Sequence, residues 1–237
     1  MKRDIVYILK NDISSEELKY SLRSVCENFP YRKIIFIGGC PSDLVPDVYI
    51  PHLQTGSSKW EKVRSSMIKV LKDERITDEF FLFNDDFFVL SKQKQDFVNF
   101  ANGTLEKRIT DLQKNVGFSS SYGRQLTTIK TFLMRQGKDT VNFALHLPFL
   151  VDKKKALELM KKYPNIEMFR SFYANMLEVP YVSHKDVKIY DLESLPLFSD
   201  YLSTTDKSFS DGAVGAWIRK RFSKPCKYEV QIEEEDS

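Results

Sequence analysis

Glu79 to Leu90 reads E-F-F-L-F-N-D-D-F-F-V-L. Phe80 to Phe83 run straight into Asn84-Asp85-Asp86, and Phe87 to Leu90 follow. A short, continuous apolar run rich in aromatics suits a strand buried on both faces in a parallel sheet. Carboxylates next to such a run are costly unless paired, hydrogen-bonded or bound to metal. Open α/β sheets bind ligands at the carboxyl ends of their strands. Asp85 and Asp86 therefore read as ligands of Mg²⁺ or Mn²⁺, which carboxylates and substrate phosphates hold together. Asn84 stands beside them as a polar contact. An N-D-D triplet is also good turn chemistry, but a solvated turn needs no apolar flanks. Adjacent side chains on extended backbone point oppositely, so one Asp faces the ligand and the other braces the loop.

Upstream, Ile5 to Leu9 is a strand of buried type, closed by a turn at Lys10-Asn11-Asp12. Ser14 or Ser15 caps a helix with Glu16 and Glu17 in its first turn and Leu18, Leu22 and Val25 as its apolar stripe. Lys33 to Ile37 is a second strand ended by Gly38-Gly39, and this β-α-β start predicts a parallel pair. The two glycines read either as a turn or as a phosphate contact. Val48 to Ile50 is a short edge strand. Ser57-Ser58 precede a helix from Lys59 to Lys72, whose first turns carry Lys59, Lys62 and Arg64. Cations there oppose the helix dipole, so they either sit on a solvated face or meet an anion such as a nucleotide diphosphate.

Downstream, Ser91 to Gln136 holds two or three helices, of which Tyr122 to Gln136 reads as a lid or acceptor-side element. Val141 to Leu145 is strand-like and leads into His146-Leu147-Pro148. Asp152 caps a Lys-rich helix to Lys162, and Ile166 to Met176 is a helix carrying Arg170. Val187 to Tyr190 is an edge strand. Asp211-Gly212 opens a helix from Ala213 to Phe222. The fold class is α/β, a Rossmann-like, mainly parallel sheet flanked by helices.

The chain of 237 residues suits one α/β domain, residues 1–230, followed by an acidic tail at 231–237. A formal net charge of +3 does not argue for nucleic acid. Three cysteines show no zinc spacing and favour free thiols in a reducing cytoplasm. No run has the length of a membrane span, so no integral membrane contact is expected.

Five segments in order resemble the Stealth family of sugar-phosphate transferases. They are E-L-K-Y-S-L-R-S-V at Glu17 to Val25, F-F-L-F-N-D-D-F-F at Phe80 to Phe88, H-L-P-F at His146 to Phe149, F-R-S-F-Y-A-N at Phe169 to Asn175, and F-S-D-G with F-S-K-P-C-K-Y-E at Phe209 to Gly212 and Phe222 to Glu229. The K-W-x-x-V-R pattern at Lys59 to Arg64 also looks like short phage and prophage proteins described as glycosyltransferases. The resemblance implies a GT-A-related core, a UDP-sugar or similar donor, a divalent metal and a glycan acceptor such as a capsular polysaccharide. By position it implies that Asn84, Asp85 and Asp86 bind donor and metal. His146 and Arg170 become catalytic together with Asp86, and Asp211 becomes an acidic donor contact. Where the family carries aromatic-Val-Asp-Gly after strand one, this chain has Leu9-Lys10-Asn11-Asp12. Sugar-1-phosphate transfer and simple glycosyl transfer both stay open. The other class of reading is a non-catalytic carbohydrate-binding module of a phage or surface structure.

Overall fold

The computed structural model describes residues 2–13, 15–116, 120–195 and 199–230. The tail at 231–237 and the capping candidate Ser14 lie outside the described residues. In chain order the elements are β1 (Asp4–Leu9), α1 (Ser15–Asn28), β2 (Ile34–Gly38), β3 (Val48–Pro51), α2 (Lys59–Lys72), β4 (Glu79–Phe83), β5 (Phe87–Val89) and β6 (Asn99–Ala101). They continue with α3 (Leu105–Val116), α4 (Ser121–Arg135), β7 (Phe149–Asp152), α5 (Lys153–Lys162), α6 (Phe169–Met176), β8 (Tyr181–Ser183), β9 (Lys188–Ile189), β10 (Tyr201–Thr204), α7 (Asp206–Ser210) and α8 (Ala213–Arg221). The fold is α/β, with a mainly parallel main sheet and flanking helices. The chain divides into two compact units, the first formed by Met1–Gln54, Phe81–Gln95 and Val187–Ser237, the second by Thr55–Phe80 and Asp96–Asp186.

In the first unit the main sheet runs β3-β2-β1-β4. β1 pairs with β2 in parallel, Ile5 opposite Ile34, and β2 with β3 in parallel, Ile35 opposite Val48. This is the pairing that the first strand, helix and strand predict. The aromatic run supplies the core: Tyr7 meets Phe36 edge-on at 5.8 Å between centroids, and Phe29 meets Phe81 at 4.9 Å. Such edge-to-face pairs add to the burial of ring area. Gly38 has φ +97, and a Cβ there would stand 2.2 Å from the Leu9 carbonyl oxygen. A Cβ at Gly39 would likewise stand 2.1 Å from the Lys10 carbonyl oxygen, so the close approach of the β1 and β2 ends requires both glycines.

Glu79 to Leu90 does not form one strand. β4 ends at Phe83, a turn closes with the Phe87 N–H donating to the Asn84 carbonyl at 3.3 Å, and β5 joins a second sheet of order β5-β10-β9. The Asn and Asp side chains favour the turn, and the second apolar run has its own core to fill. Phe88 and Leu202 pack there with Phe209, Val214, Ile218 and Phe222. α1 holds β5 in place with buried polar side chains one turn apart. Ser21 Oγ donates to the Phe87 carbonyl at 2.5 Å, Ser24 Oγ accepts from the Val89 N–H at 3.0 Å, and Asn28 Nδ2 donates to the Val89 carbonyl at 2.8 Å. Arg23, on the same helix, grips Glu229 through both carboxylate oxygens at 2.7 and 2.5 Å. The first and last of the five resembling segments thus meet.

In the second unit, β4 begins with Glu79 and Phe80, β7 is its neighbour in the strand order, and β6 pairs in parallel with β8. Asp152 caps α5 as expected, its carboxylate accepting from the Lys155 N–H at 3.0 Å. α2 has the expected bounds, set by a capping box between Ser58 and Glu61. α4 packs on α3 and α6. The strand-like run from Val141 to Leu145 is not a strand. Val141 makes one isolated bridge to Thr104, and the strand lies later, at β7. Among the described residues no helix is long and apolar enough to cross a membrane.

Candidate functional site

The turn Asn84-Asp85-Asp86 leaves the carboxyl end of β4. Lys10, just past the end of β1, lies close enough to interact electrostatically with Asp85, so the ends of the neighbouring strands β1 and β4 share one edge. Asp86 is 9% exposed. Its Oδ2 accepts from Lys188 Nζ at 2.7 Å and from Ser203 Oγ at 2.9 Å. Lys188 and Ser203 are register partners on β9 and β10, and Ser203 also faces Phe87 of β5. Two strands of the second sheet thus hold Asp86. Asp86 Oδ1 is buried and, among the described residues, has no hydrogen-bond partner. An unsatisfied buried carboxylate oxygen costs about 1–3 kcal/mol or more, a cost that an ion, a water or a substrate group at this point would relieve.

Two more carboxyls surround it. Burial pushes the Asp85 carboxyl up to about 6, with Asp86 adding to the rise. Glu17, on the first turn of α1, is pushed up to about 7, chiefly by burial; the Thr204 hydroxyl pulls the other way, and Asp86, Asp85 and Asp206 add to the rise. Thr204 donates to Glu17 Oε1. Burial pulls the Lys188 pKa down, but the charge and hydrogen bond of Asp86 outweigh it and hold the ammonium above its ordinary value. Lys188 interacts with Asp86 and Glu17, Lys10 with Asp85, and the Arg219 guanidinium with Glu17.

The burial of these carboxyls has a measurable sign. A carboxyl whose pKa rises on folding keeps a proton that the unfolded chain releases, so it costs stability as pH climbs through that window. For Glu17 the window runs from 4.5 to about 7. Glu17→Gln, which keeps an acceptor for Thr204, is expected to stabilise the chain by about 1–3 kcal/mol in mildly alkaline buffer. The gain should vanish near pH 4 in urea titrations. A variant less stable than the parent at both pH values would show that the carboxylate is satisfied.

The residues fit a divalent cation of the kind that relies on substrate oxygens. The orphan Asp86 Oδ1 and the desolvated Asp85 carboxyl are two oxygen donors, and Mg²⁺ commonly takes one or two carboxylates plus phosphates. Among the described residues no group of three or more His, Cys, Asp or Glu could hold a metal by itself.

The second unit carries another constellation. His146 lies in the loop before β7, on the amino side of that strand, and not at a strand's carboxyl end as the strand-like run suggested. Its Nδ1 stands 3.0 and 2.9 Å from the two oxygens of Asp186, and its backbone N–H donates to Asp186 Oδ1 at 3.1 Å. Arg170 Nη1 donates to the Leu145 and Leu147 carbonyls, both at 2.7 Å, the residues on either side of His146. The expected pair of His146 and Arg170 is brought together, with Arg170 bracing the loop that carries the ring.

The other candidates divide. Lys59 and Lys62 are exposed in the first turn of α2, and the Lys59 ammonium lies 4.4 Å from the centre of the Trp60 ring. Arg64 is engaged elsewhere: Nη1 donates to the Ile166 carbonyl at 3.0 Å and Nη2 to the Met160 carbonyl at 2.9 Å. Its fork clamps α2 to the segment joining α5 and α6, and burial draws its pKa down. Arg64→Ala is expected to cost roughly 2 kcal/mol in urea unfolding, since charged hydrogen bonds are lost to two carbonyls, with donor affinity unchanged. A large affinity loss with intact stability would return Arg64 to the phosphates. Asp211 is exposed and caps the carboxyl end of α7. Asn84 is exposed in the turn.

No family model and no curated protein sequence matches the chain. Among solved structures, the galactosyltransferase LgtC in complex with donor and acceptor sugar analogs is 13% identical, covering 98% of this chain and 98% of its own, with a TM-score of 0.49. The glycosyltransferase GlyE of Streptococcus pneumoniae TIGR4 is 14% identical over 78% of this chain, at a TM-score of 0.34. The match spans 45% of the length of GlyE. A 4-diphosphocytidyl-2C-methyl-D-erythritol synthase is 13% identical over 94% of this chain and 100% of its own, with a TM-score of 0.45. Likenesses this distant carry no argument about activity, which rests on the residues themselves.

Proposed function

We propose that the chain is a nucleotide-sugar-dependent transferase that moves a sugar-1-phosphate or a glycosyl group onto a hydroxyl of a glycan acceptor. The observation that carries this reading is the buried, half-satisfied Asp86 beside desolvated Asp85 and Glu17, at the strand edge where open α/β sheets take their ligands. A partly desolvated carboxylate cluster at such an edge suits a donor that arrives with a divalent metal. When bound, the metal neutralises the diphosphate charge. Asp85 and Asp86 Oδ1 would hold it, and Lys188 and Ser203 keep Asp86 in place. Asn84 and Asp211 are assigned to the donor's polar groups, and Lys59 and Lys62 to its phosphates. His146 is the base that takes the acceptor hydroxyl's proton. Arg170 acts through the His146 loop. The likeness of the five segments to the Stealth family favours the sugar-1-phosphate form of the transfer and a polysaccharide acceptor.

A carbohydrate-binding module without catalysis would gain nothing from burying these carboxyls. Thermal shift separates the two classes. A rise in melting temperature with UDP-sugars only when Mn²⁺ is present supports the transferase. A rise with free glycans alone, and none with nucleotide and metal, supports the module.

A further inference from the structure

We propose that Asp186 is the positioning residue for His146, fixing the ring as the tautomer that keeps its proton on Nδ1 and presents Nε2 as the acceptor. The inference rests on the reading of His146 as the base. Asp186 touches His146 three times: both carboxylate oxygens reach Nδ1, at 3.0 and 2.9 Å, and Oδ1 also takes the backbone N–H at 3.1 Å. An ionised carboxylate only accepts hydrogen bonds, so the nitrogen facing it must donate. Turning the ring over would set a carbon against the carboxylate. Because the same oxygen holds the main chain, ring and backbone are fixed as one body.

The charges around Asp186 favour its ionised form. Burial pushes its carboxyl up, but the side-chain and backbone hydrogen bonds from His146, with a smaller pull from Arg108 on α3, bring it below the usual carboxylate range. Arg170 adds a mechanical constraint from α6. Its two bonds to the Leu145 and Leu147 carbonyls fix the peptides on both sides of the ring, and its guanidinium lies 5.7 Å from the centre of the Phe149 ring. His146 is therefore held from the side chain by Asp186 and from the main chain by Asp186 and Arg170. In the proposed reaction the acceptor hydroxyl's proton moves to Nε2 as its oxygen bonds to the transferred anomeric carbon or sugar-bearing phosphorus. The bond from that atom to the nucleotide's oxygen breaks, and the nucleoside diphosphate or monophosphate leaves with the electron pair. The imidazolium so formed keeps its Nδ1 proton on Asp186, whose charge stabilises it.

A purely structural staple would need the contacts but not this tautomer. Long-range proton–nitrogen correlation of ¹⁵N-labelled full-length chain in mildly alkaline buffer reads the tautomer directly, His146 being assigned among three histidines by comparison with His146→Gln. The expected result is an unprotonated Nε2 and a protonated Nδ1. Asp186→Asn, whose amide can donate to Nδ1, should shift the proton toward Nε2 and lower kcat by about 10² to 10⁴. The donor KM should stay within about twofold, the mark of a group acting on the chemical step. A parent ring protonated on Nε2 overturns the proposal without any variant, whether or not Asp186→Asn folds. So does an Asp186→Asn chain with unchanged turnover. Because the tautomer is read without substrate, its result stands apart from the transferase reading: failure to turn over any nucleotide sugar would overturn that reading and not the geometry.

Discussion

Asp85→Asn should remove metal-dependent donor binding while leaving the fold as stable as the parent or more stable. The carboxyl is pushed up to about 6 by burial and by the nearby Asp86, so at neutral pH the folded chain spends free energy to ionise it. The neutral amide spares that cost and keeps the shape. Turnover should fall about 10²-fold or more, the range for losing a group that stabilises developing charge. Asp86→Asn should lose as much function for a different structural reason. Its Oδ2 is the counter-ion of Lys188, whose side chain is only 16% exposed. Breaking a buried pair on one side leaves an uncompensated charge and costs about 3–5 kcal/mol. Asp86→Asn combined with Lys188→Met should recover most of the stability and none of the activity. Calorimetry of UDP-sugar binding with and without Mn²⁺, beside urea unfolding, reads both columns. If both single variants bind donor and Mn²⁺ like the parent, the metal assignment is wrong.

His146→Ala carries the other large effect. As the base, its loss should lower kcat by about 10² to 10⁴ with donor binding retained. Arg170→Lys should go the same way to a smaller extent, because an ammonium on a flexible stem does not hold the place of the rigid guanidinium whose Nη1 serves both carbonyls. Combining the two changes should be barely worse than His146→Ala alone, since a brace has nothing left to position once the ring is gone. Fully additive losses would mean that Arg170 touches the reacting group itself. Normal turnover in His146→Ala would remove the ring from the chemistry.

What could be read from sequence follows the range of the interactions. The bounds of α2 and the cap of α5 are written locally, in Ser58 with Glu61 and in Asp152 with Lys155, three residues apart. The α1 stripe of Leu18, Leu22 and Val25 is likewise local, and all three are fully buried. The Asn84-Asp85-Asp86 turn was legible as both turn and ligand edge, and the structure uses it as a turn. Splitting Glu79 to Leu90 between two sheets was not legible. The partner of β5 is β10, more than a hundred residues later, and an apolar run does not say which sheet it joins. The same limit hid three site residues. Glu17 reads as an acidic residue favouring a helix start, although it also opens the E-L-K-Y segment. Lys188 reads as a cation on an edge strand, and Asp186 as part of a polar H-K-D loop. Each acquires its role from a side chain 40 to 187 positions away, at His146, Asp86 or Thr204. Arg64 shows the converse. Its spacing with Lys59 and Lys62 suggested one shared task, but partial burial and two nearby carbonyls give it a different one.

The central claim is that this chain opens a nucleotide-sugar bond and passes the released group to a glycan hydroxyl. The most direct measurement is mass spectrometry of the nucleotides and glycans formed when the parent chain and Asp85→Asn are incubated with a panel of nucleotide sugars, Mn²⁺ and a polysaccharide acceptor. The account expects the parent to release a nucleoside monophosphate or diphosphate from at least one donor and to add the matching mass to the acceptor, with Asp85→Asn silent. Monophosphate release would mark sugar-phosphate transfer, and diphosphate release glycosyl transfer. Equal product from parent and Asp85→Asn, or none from the parent with any donor while free glycans alone raise its melting temperature, would contradict it.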